Sequence, residues 1–391
     1  MKTKKHSVSN PFLAKIMQEL RVGRLTASTS HAFYNRTEKC KAGTYIETWF
    51  KTDGCRWDAI GGCTMCNYGH GSPTSSDEMV ESVRRGLAAI NVPVDELVVS
   101  PSGSMLDQRE VPIDARRQIF SLVSEFPAKT YIFETRPETV TENAIRDLVE
   151  IVSNKRLGIE LGLESSNPWI QQYCINKGSY PDQFIKAAGI ISKFDIDVLA
   201  NVSIGTAFLP PREAIINAID SAKWALENGA NIVVLFPLHV KPNTLLAWLY
   251  TNNLYQPPSL WSLVDVLKQL GPEKTEFTDI SWYRNYYSDE SKILASPKTC
   301  EICQNDVLEL LDIYRMSRSF VVVEKLDKMA CNCKDEWKKQ INDYSQWDTL
   351  PAKIWGIYEL LGKQLLNEIE NKKLLNNNFQ NRFFSSYNSL K

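Results

Sequence analysis

Between about Tyr45 and Trp261, short runs rich in β-branched and aromatic residues alternate with stretches whose apolar residues recur near i, i+3, i+4 spacing. The runs TYIETWF, ELVVSPSG, TYIFETRP, RLGIELGLES, DVLANVSIG and ANIVVLFPLHV read as strands. Between them VESVRRGLAAI, DARRQIFSLVSEF, ENAIRDLVEIVSN, YPDQFIKAAGIISKF and EAIINAIDSAKWALENG read as amphipathic helices. Repeated strand-then-helix order requires parallel strands joined by right-handed crossovers. Two architectures satisfy it, a partial (β/α)6 barrel and a doubly wound sheet, and both place ligands at the carboxyl ends of the strands. No G-x-G-x-x-G follows the first strand, so nothing marks a dinucleotide fold, and the reading is an α/β chain built on a partial barrel.

That core is expected over residues 45–265. Residues 1–44 hold one helical pattern, PFLAKIMQELRVG, and a polar link, and read as an N-terminal extension. After Gln256, Pro257 and Pro258 the alternation stops, and residues 266–345 form a mixed segment. Residues 346–391 contain a helix, KIWGIYELLGKQLLNEIENKKLL, and an Asn-rich end, NNNFQNRFFSSYNSLK, expected to be frayed or disordered. With 391 residues, 43% hydrophobic and 23% charged, the chain can bury one large core and a smaller appendage. A formal net charge of -1 supplies no global field toward nucleic acid or an anionic membrane, so any RNA contact must be local. No run approaches the roughly 18 apolar residues of a spanning helix, and MKTKKHSVSNPF has no apolar stretch behind its basic residues; a cytoplasmic location without membrane contact is expected.

Seven of the nine cysteines fall into two tight clusters, a pattern that suits metal ligation in a reducing compartment. Cys40 and Cys174 stand apart and read as small buried apolar residues. In DGCRWDAIGGCTMCNYGHG, seven residues separate Cys55 from Cys63 and two separate Cys63 from Cys66, on the loop directly after the first strand. Thiolates match iron, and C-x2-C places two of them on one cluster face. Three ligands leave one iron open to a substrate or cofactor. Gly61, Gly62, Gly69 and Gly71 let the backbone wrap an inorganic ligand closely. A zinc knuckle completed by His70 is the bland alternative, and the place of the loop in a repeated β/α core favours the cluster.

The second set pairs Cys300 with Cys303 and, 27 residues later, Cys331 with Cys333. Four thiolates make a closed tetrahedral site, the usual structural zinc arrangement for a segment without its own core. An auxiliary iron-sulfur cluster would need the same four ligands, and that alternative stays open.

GGCTMCNYG with its wide first spacing resembles the signature of the radical S-adenosylmethionine (SAM) superfamily, in its elongator-catalytic-subunit-like branch, and within it the radical SAM subunit of archaeosine synthase. SGSMLDQREVP at 102–112, FETRPETV at 133–140, GLESSN at 162–167, YQPPSLWSLVDVL at 255–267 and the C-terminal cysteines carry the resemblance along nearly the whole chain. It implies a [4Fe-4S] cluster on Cys55, Cys63 and Cys66 that binds SAM at its open iron and cleaves it reductively, the resulting 5'-deoxyadenosyl radical removing a substrate hydrogen. By position, Met65 would lie against adenine, while Ser102, Gly103 and Ser104 would hold the amino group of SAM. Glu134 and Arg136 would address the ammonium and carboxylate of its methionyl part, and Glu160, Glu164 and Asn201 the ribose or the substrate. Phe236 and Pro237 read as packing on the adenine side, and His239 as a hydrogen-bonded structural histidine. The sequence departs from its relatives after the fifth strand, at NVSIGTAFLPP, and before Cys300, at YYSDESKILASPKTC, both on the expected substrate side.

The resemblance implies a tRNA-modifying enzyme, served by an electron donor protein and a partner subunit that brings the tRNA, because only scattered residues such as Lys363, Lys372, Lys373 and Arg382 offer a local basic patch. A radical SAM maturase of a peptide or small molecule is the alternative, favoured by the neutral charge and the altered loops. A binding protein with two structural zinc sites is a third reading, which the open three-ligand site argues against.

Overall fold

Eight strands hydrogen-bond in the order in which they occur in the chain. In the computed structural model, which describes residues 10–21, 32–69, 73–153, 155–285, 293–342 and 347–389, β1 (Phe33–Cys40) turns back antiparallel onto β2 (Gly43–Phe50). From there β3 (Glu96–Pro101), β4 (Thr130–Thr135), β5 (Arg156–Glu164), β6 (Asp197–Ile204), β7 (Ile232–Pro237) and β8 (Thr278–Ile280) are added in parallel. A doubly wound sheet reverses its strand order at a switch point, and this order never reverses, so the fold is the partial barrel. Strands β2 to β7 are the six that the alternation predicts.

Two strands lie outside that prediction. The first, β1, falls in the segment expected to be a polar link, because Arg36 lines the lumen and Glu38 pairs with Arg36 and Arg315, which removes the apolar half of its period-2 pattern. The other, β8, is three residues long and follows a helix interrupted at Gly271 (φ 75) and Pro272, so no strand-length run announces it.

The helices follow in chain order: α1 (Pro11–Glu19), the short α2 (Arg56–Ala59), α3 (Ser76–Ala88), α4 (Ile113–Glu125), α5 (Glu142–Ile151), the short α6 (Pro168–Ile170), α7 (Pro181–Ile191), α8 (Pro211–Glu227), α9 (Leu245–Thr251) and α10 (Leu260–Thr275). Local chemistry starts them. Ser75 and Glu78 make a reciprocal capping box for α3, Thr141 caps α5, and prolines open α1, α7 and α8. Beyond β8 come α11 (Gln304–Ser317), α12 (Phe320–Lys328), α13 (Asn332–Asn342), α14 (Leu350–Leu365), α15 (Glu368–Leu374) and α16 (Asn377–Asn388). None of the described helices is long and apolar enough to cross a membrane.

Two apolar cores result. One lies between the sheet and its outer helices and extends to α10, α11, α12 and Trp337 of α13. The other joins the ends of the chain: Phe12 of α1, Trp169 and Tyr173 after β5, Trp355 and Tyr358 of α14, and Phe379 and Phe383 of α16 are all buried in it. The Asn10 amide donates to the Tyr358 hydroxyl at 3.1 Å, and that hydroxyl donates to the Tyr173 carbonyl at 2.5 Å. The expectation of a frayed Asn-rich end is therefore corrected. Asn376 caps α16, and Phe379, Phe383 and Tyr387 form its buried stripe, with the Phe383 ring 5.2 Å from that of Trp169. The long helix expected over 353–375 is likewise two helices, with a break after Leu365.

Inside the barrel the lining is polar. A cavity of about 350 Å³ is bounded by Glu47, Glu134, Glu160 and Phe236 on one side and by Arg315 and Arg318 on the other. Arg315 comes from α11, which spans the gap between the sheet edges, and Arg318 is its C-cap: Arg315 pairs with Glu38 of β1, and Arg318 with Asp279 of β8 at 2.8 Å.

Candidate active site and second cysteine centre

The loop after β2 is closed by its own backbone. Cys55 precedes α2 and its N–H donates to the Tyr68 carbonyl at 3.1 Å, while the Cys66 N–H donates to the Cys63 carbonyl at 3.2 Å. Gly61 (φ 149) and Gly62 (φ 71) occupy left-handed backbone regions. A Cβ at Gly61 would come within 2.6 Å of Ala14 Cβ on α1, and one at Gly62 within 2.1 Å of Asp58 Oδ1. These glycines let the loop lie flat against the N-terminal helix. Asp58 holds it from below through an ion pair with Arg21, and burial pushes the Asp58 carboxyl up to about 6. His70 and Gly71 lie outside the described residues.

Each cysteine of this loop has its own cation. Arg136 Nη1 donates to Cys55 Sγ at 3.3 Å. Lys177 is the cation that most favours the Cys63 thiolate, and Lys241 does the same for Cys66. Burial is the larger effect, pushing Cys55 up to about 12 and raising Cys63 and Cys66 as well. The thiols are thus held neutral until a metal displaces their protons, and the cations beside them favour the charge that ligation creates, although Arg136 and Lys177 are also paired with carboxylates. Three thiolates facing three cations suit an anionic, thiolate-ligated cluster. Cys63 and Met65 pack against the second apolar core.

The structure brings the remaining predicted residues into two groups. Around Cys55, Gly103 lies so close that a Cβ there would sit 2.4 Å from Glu110 Oε2. Ser102 Oγ accepts from the Thr52 N–H at 2.8 Å, and Ser104 Oγ is 2.6 Å from Thr135 Oγ1 and accepts from the Arg136 N–H at 3.0 Å. Both serines are buried with their hydroxyls committed to the loop frame. Arg136 is held by Asp107 at 2.9 Å, Glu110 at 2.7 Å and Glu138 at 2.7 Å, with its guanidinium turned to Cys55.

The second group faces the lumen. Glu134 and Glu160 are directly opposite in the β4–β5 register. Burial first, then the charge of Glu47, raises Glu134 to about 7; burial and the charge of Glu134 raise Glu160 well above the carboxylate range. Ser100 donates to Glu134, and Asn201 side-chain bonding opposes the rise at Glu160. Glu164 stands apart, at φ 63 on a bulge, where its carboxylate accepts from Lys177 Nζ at 3.2 Å. Phe236 lines the cavity beside the two carboxyls, with Pro237 next in β7. His239 is bonded at both ring nitrogens, to Ser296 Oγ at 3.1 Å and the Trp282 carbonyl at 2.5 Å, and burial lowers it to about 4, so the ring is neutral.

Sequence reasoning missed Lys177, Lys241, Glu110 and Glu47. Lys177 and Lys241 follow β5 and β7, far from the cysteines in sequence, and only the curvature of the sheet brings them to the loop. Glu47 did carry a signal, a lone carboxylate in the first parallel strand, TYIETWF.

The second cysteine set is a different object. Sγ separations are 3.6 Å for Cys300–Cys303, 3.5 Å for Cys300–Cys331, 3.5 Å for Cys303–Cys333 and 3.4 Å for Cys331–Cys333. Among the described residues this is the one set of metal-binding side chains whose ligand atoms all lie within 4.8 Å of each other. Four thiolates about 2.3 Å from one zinc ion would stand about 3.8 Å apart, so the spacing is that of a single-ion site. Trp261 Nε1 donates to Cys333 Sγ at 3.3 Å, and the Cys303 backbone N–H lowers the Cys300 thiol to about 6. Cys303 also precedes α11, so the centre fixes the start of the helix that bridges the sheet edges.

A partial barrel carrying a three-cysteine loop directly after its first parallel strand is the arrangement of a radical SAM protein. No protein-family model matches the chain. Archaeosine synthase subunit beta of Methanosarcina acetivorans is 31% identical over 306 residues, covering 76% of this chain and 85% of that protein. The subunit of the same name from Thermococcus kodakarensis is 31% identical over 249 residues, covering 61% and 76% respectively. Among solved structures, methylornithine synthase superimposes with a TM-score of 0.45 at 12% identity, over 84% of this chain and 91% of that one. The chain belongs to the archaeosine synthase subunit beta family of radical SAM enzymes.

Proposed function

We propose that this chain is the radical-generating subunit of an archaeosine-type tRNA modification, abstracting a hydrogen so that the product nucleoside is released from its amino-acid adduct. The observation that carries the reading is the 31% identity over 306 residues, which span 85% of the Methanosarcina protein. Cys55, Cys63 and Cys66 would hold a [4Fe-4S] cluster, which when bound supplies the electron that cleaves SAM. Arg136, Lys177 and Lys241 favour the thiolate forms of the three cysteines. Glu134 and Glu160, each holding its proton to higher pH than an exposed carboxyl, offer hydrogen bonds with Asn201 to ribose or substrate hydroxyls at the lumen. Met65, packed at the edge of the second apolar core, would lie against adenine. Arg136, already committed to three carboxylates and a thiol, acts on the cluster ligand and not on the SAM carboxylate. Cys300, Cys303, Cys331 and Cys333 bind one zinc ion that has a structural role.

RNA binding falls to a partner subunit. The chain has a net charge of -1, and of the basic residues near its end Lys372 is already paired with Glu368 at 2.6 Å. The test is anaerobic reconstitution with SAM and dithionite, following 5'-deoxyadenosine. Adduct-bearing tRNA with the partner subunit is expected to raise its yield at least tenfold. No response to that tRNA, with turnover on a peptide instead, would replace this reading with peptide maturation.

A further inference from the structure

An open groove of about 1050 Å³ lies beside the cysteine loop, walled by the loops after β2, β3 and β4 and by α4 and α5. Arg136 lines it and at the same time donates to Cys55 Sγ, so a single guanidinium separates the groove from a thiol of the socket. Arg109, Arg117 and Arg146 present exposed side chains along the wall. Ile60 and Ile113, also lining the groove, are 58% and 44% exposed. Arginine interleaved with exposed aliphatic surface is the composition of a protein interface.

The charge is positive but partly neutralised. Arg109 shares Asp107 at 3.2 Å and Arg117 shares Asp147 at 2.6 Å. A polyphosphate backbone is held by a run of uncompensated cations. A half-neutralised arginine face with an apolar component suits a short-lived encounter with an acidic protein, where charge sets the association rate and the small interface lets go.

We propose that this groove docks the electron donor, a small redox protein with an acidic face. The proposal rests on the reading of Cys55, Cys63 and Cys66 as a cluster site. Each encounter moves one electron: the carrier is oxidised by one, the cluster held by those cysteines is reduced by one, and no bond or proton changes place. Arg109, Arg117 and Arg146 orient the carrier, and Arg136 marks where its redox centre comes closest to a cluster ligand.

The experiment compares the cluster-loaded chain with the charge reversals Arg109→Glu and Arg117→Glu, singly and together, following cluster reduction by stopped-flow absorbance and by the paramagnetic signal of the reduced cluster. A reduced acidic ferredoxin is one donor and dithionite the other. The double variant is expected to lose at least about tenfold in the ferredoxin-driven rate at low salt, with the dithionite rate unchanged. Arg109→Gln with Arg117→Gln should lose less, and added salt should slow the wild type toward the variants. Equal ferredoxin rates in wild type and double variant would overturn the proposal, as would loss of tRNA retention with ferredoxin rates intact, which would make the groove an RNA surface. If the wild type takes up no iron, the cluster reading itself fails, and that is seen before any donor is added.

Discussion

Cys55, Cys63 and Cys66 lie on a glycine-rich loop with a separate cation near each thiol, whereas Cys300, Cys303, Cys331 and Cys333 stand with all four sulfurs within 4.8 Å of one another. The first set does not bring its three sulfurs within 4.8 Å of one another and has cations of the surrounding elements beside them. The second has the sulfur spacing of a single-ion site. Both begin with a C-x2-C pair or contain one, so the pair does not set the difference. What sets it is the third and fourth ligand: a distant Cys55 across a wrapped loop in one case, a second tight pair in the other. The first set should therefore matter to chemistry and the second to folding.

Exchanging the two roles would break the comparison. Cys63→Ala should abolish 5'-deoxyadenosine formation, a loss of at least about a thousandfold, while the melting temperature moves by only a few degrees. Cys303→Ser should release the second-site ion and destabilise the chain by more than about 4 kcal/mol, since it frees the start of α11 and the Arg315 and Arg318 pairs beyond it. Thermal melts with metal analysis separate the two. Phe383→Ala sharpens the contrast further. It should cost about 3–5 kcal/mol in the second core yet leave both sites loaded in the folded fraction, showing that lost stability alone does not empty them.

Smaller effects belong to the first site alone. Arg136→Leu removes a charge-assisted bond to Cys55, so adding an electron to the cluster becomes harder, and the midpoint potential should fall by the equivalent of about 1.5–3 kcal/mol with the second site unaffected. A potentiometric titration measures it. Glu134, raised by burial and by Glu47 to about 7, keeps its proton longer in the folded chain than in the unfolded one. Its contribution to stability is therefore full below about pH 4.5 and is lost as pH rises through about 7. Glu134→Gln should flatten the fall in melting temperature across that window, an effect of about 1–2 kcal/mol.

Much of this was legible in the sequence. Strands β2 to β7 announced themselves through their β-branched and aromatic runs, and the two cysteine clusters through their spacing. The rest was hidden for identifiable reasons. Arg36 and Glu38 put charge on the inner face of β1, where a pattern search expects apolar residues. Asparagines mask α16, although Phe379, Phe383 and Tyr387 recur every four residues. Lys177 and Lys241 find their cysteines only through the curvature of the sheet, and the bonds of the Ser102 and Ser104 hydroxyls to the loop frame also arise only in the folded chain. The register of β4 against β5, which sets Glu134 on Glu160, is likewise a property of the assembled barrel.

The central claim is that the first set is an open cluster site, and paramagnetic resonance of the reduced, anaerobically reconstituted chain tests it most directly. The account predicts one cluster's worth of iron per chain, a reduced-cluster signal that shifts when SAM is added, and loss of both in Cys63→Ala with the Cys300 centre still loaded. Zinc bound at Cys55, Cys63 and Cys66 in place of iron, or a signal indifferent to SAM, would contradict it.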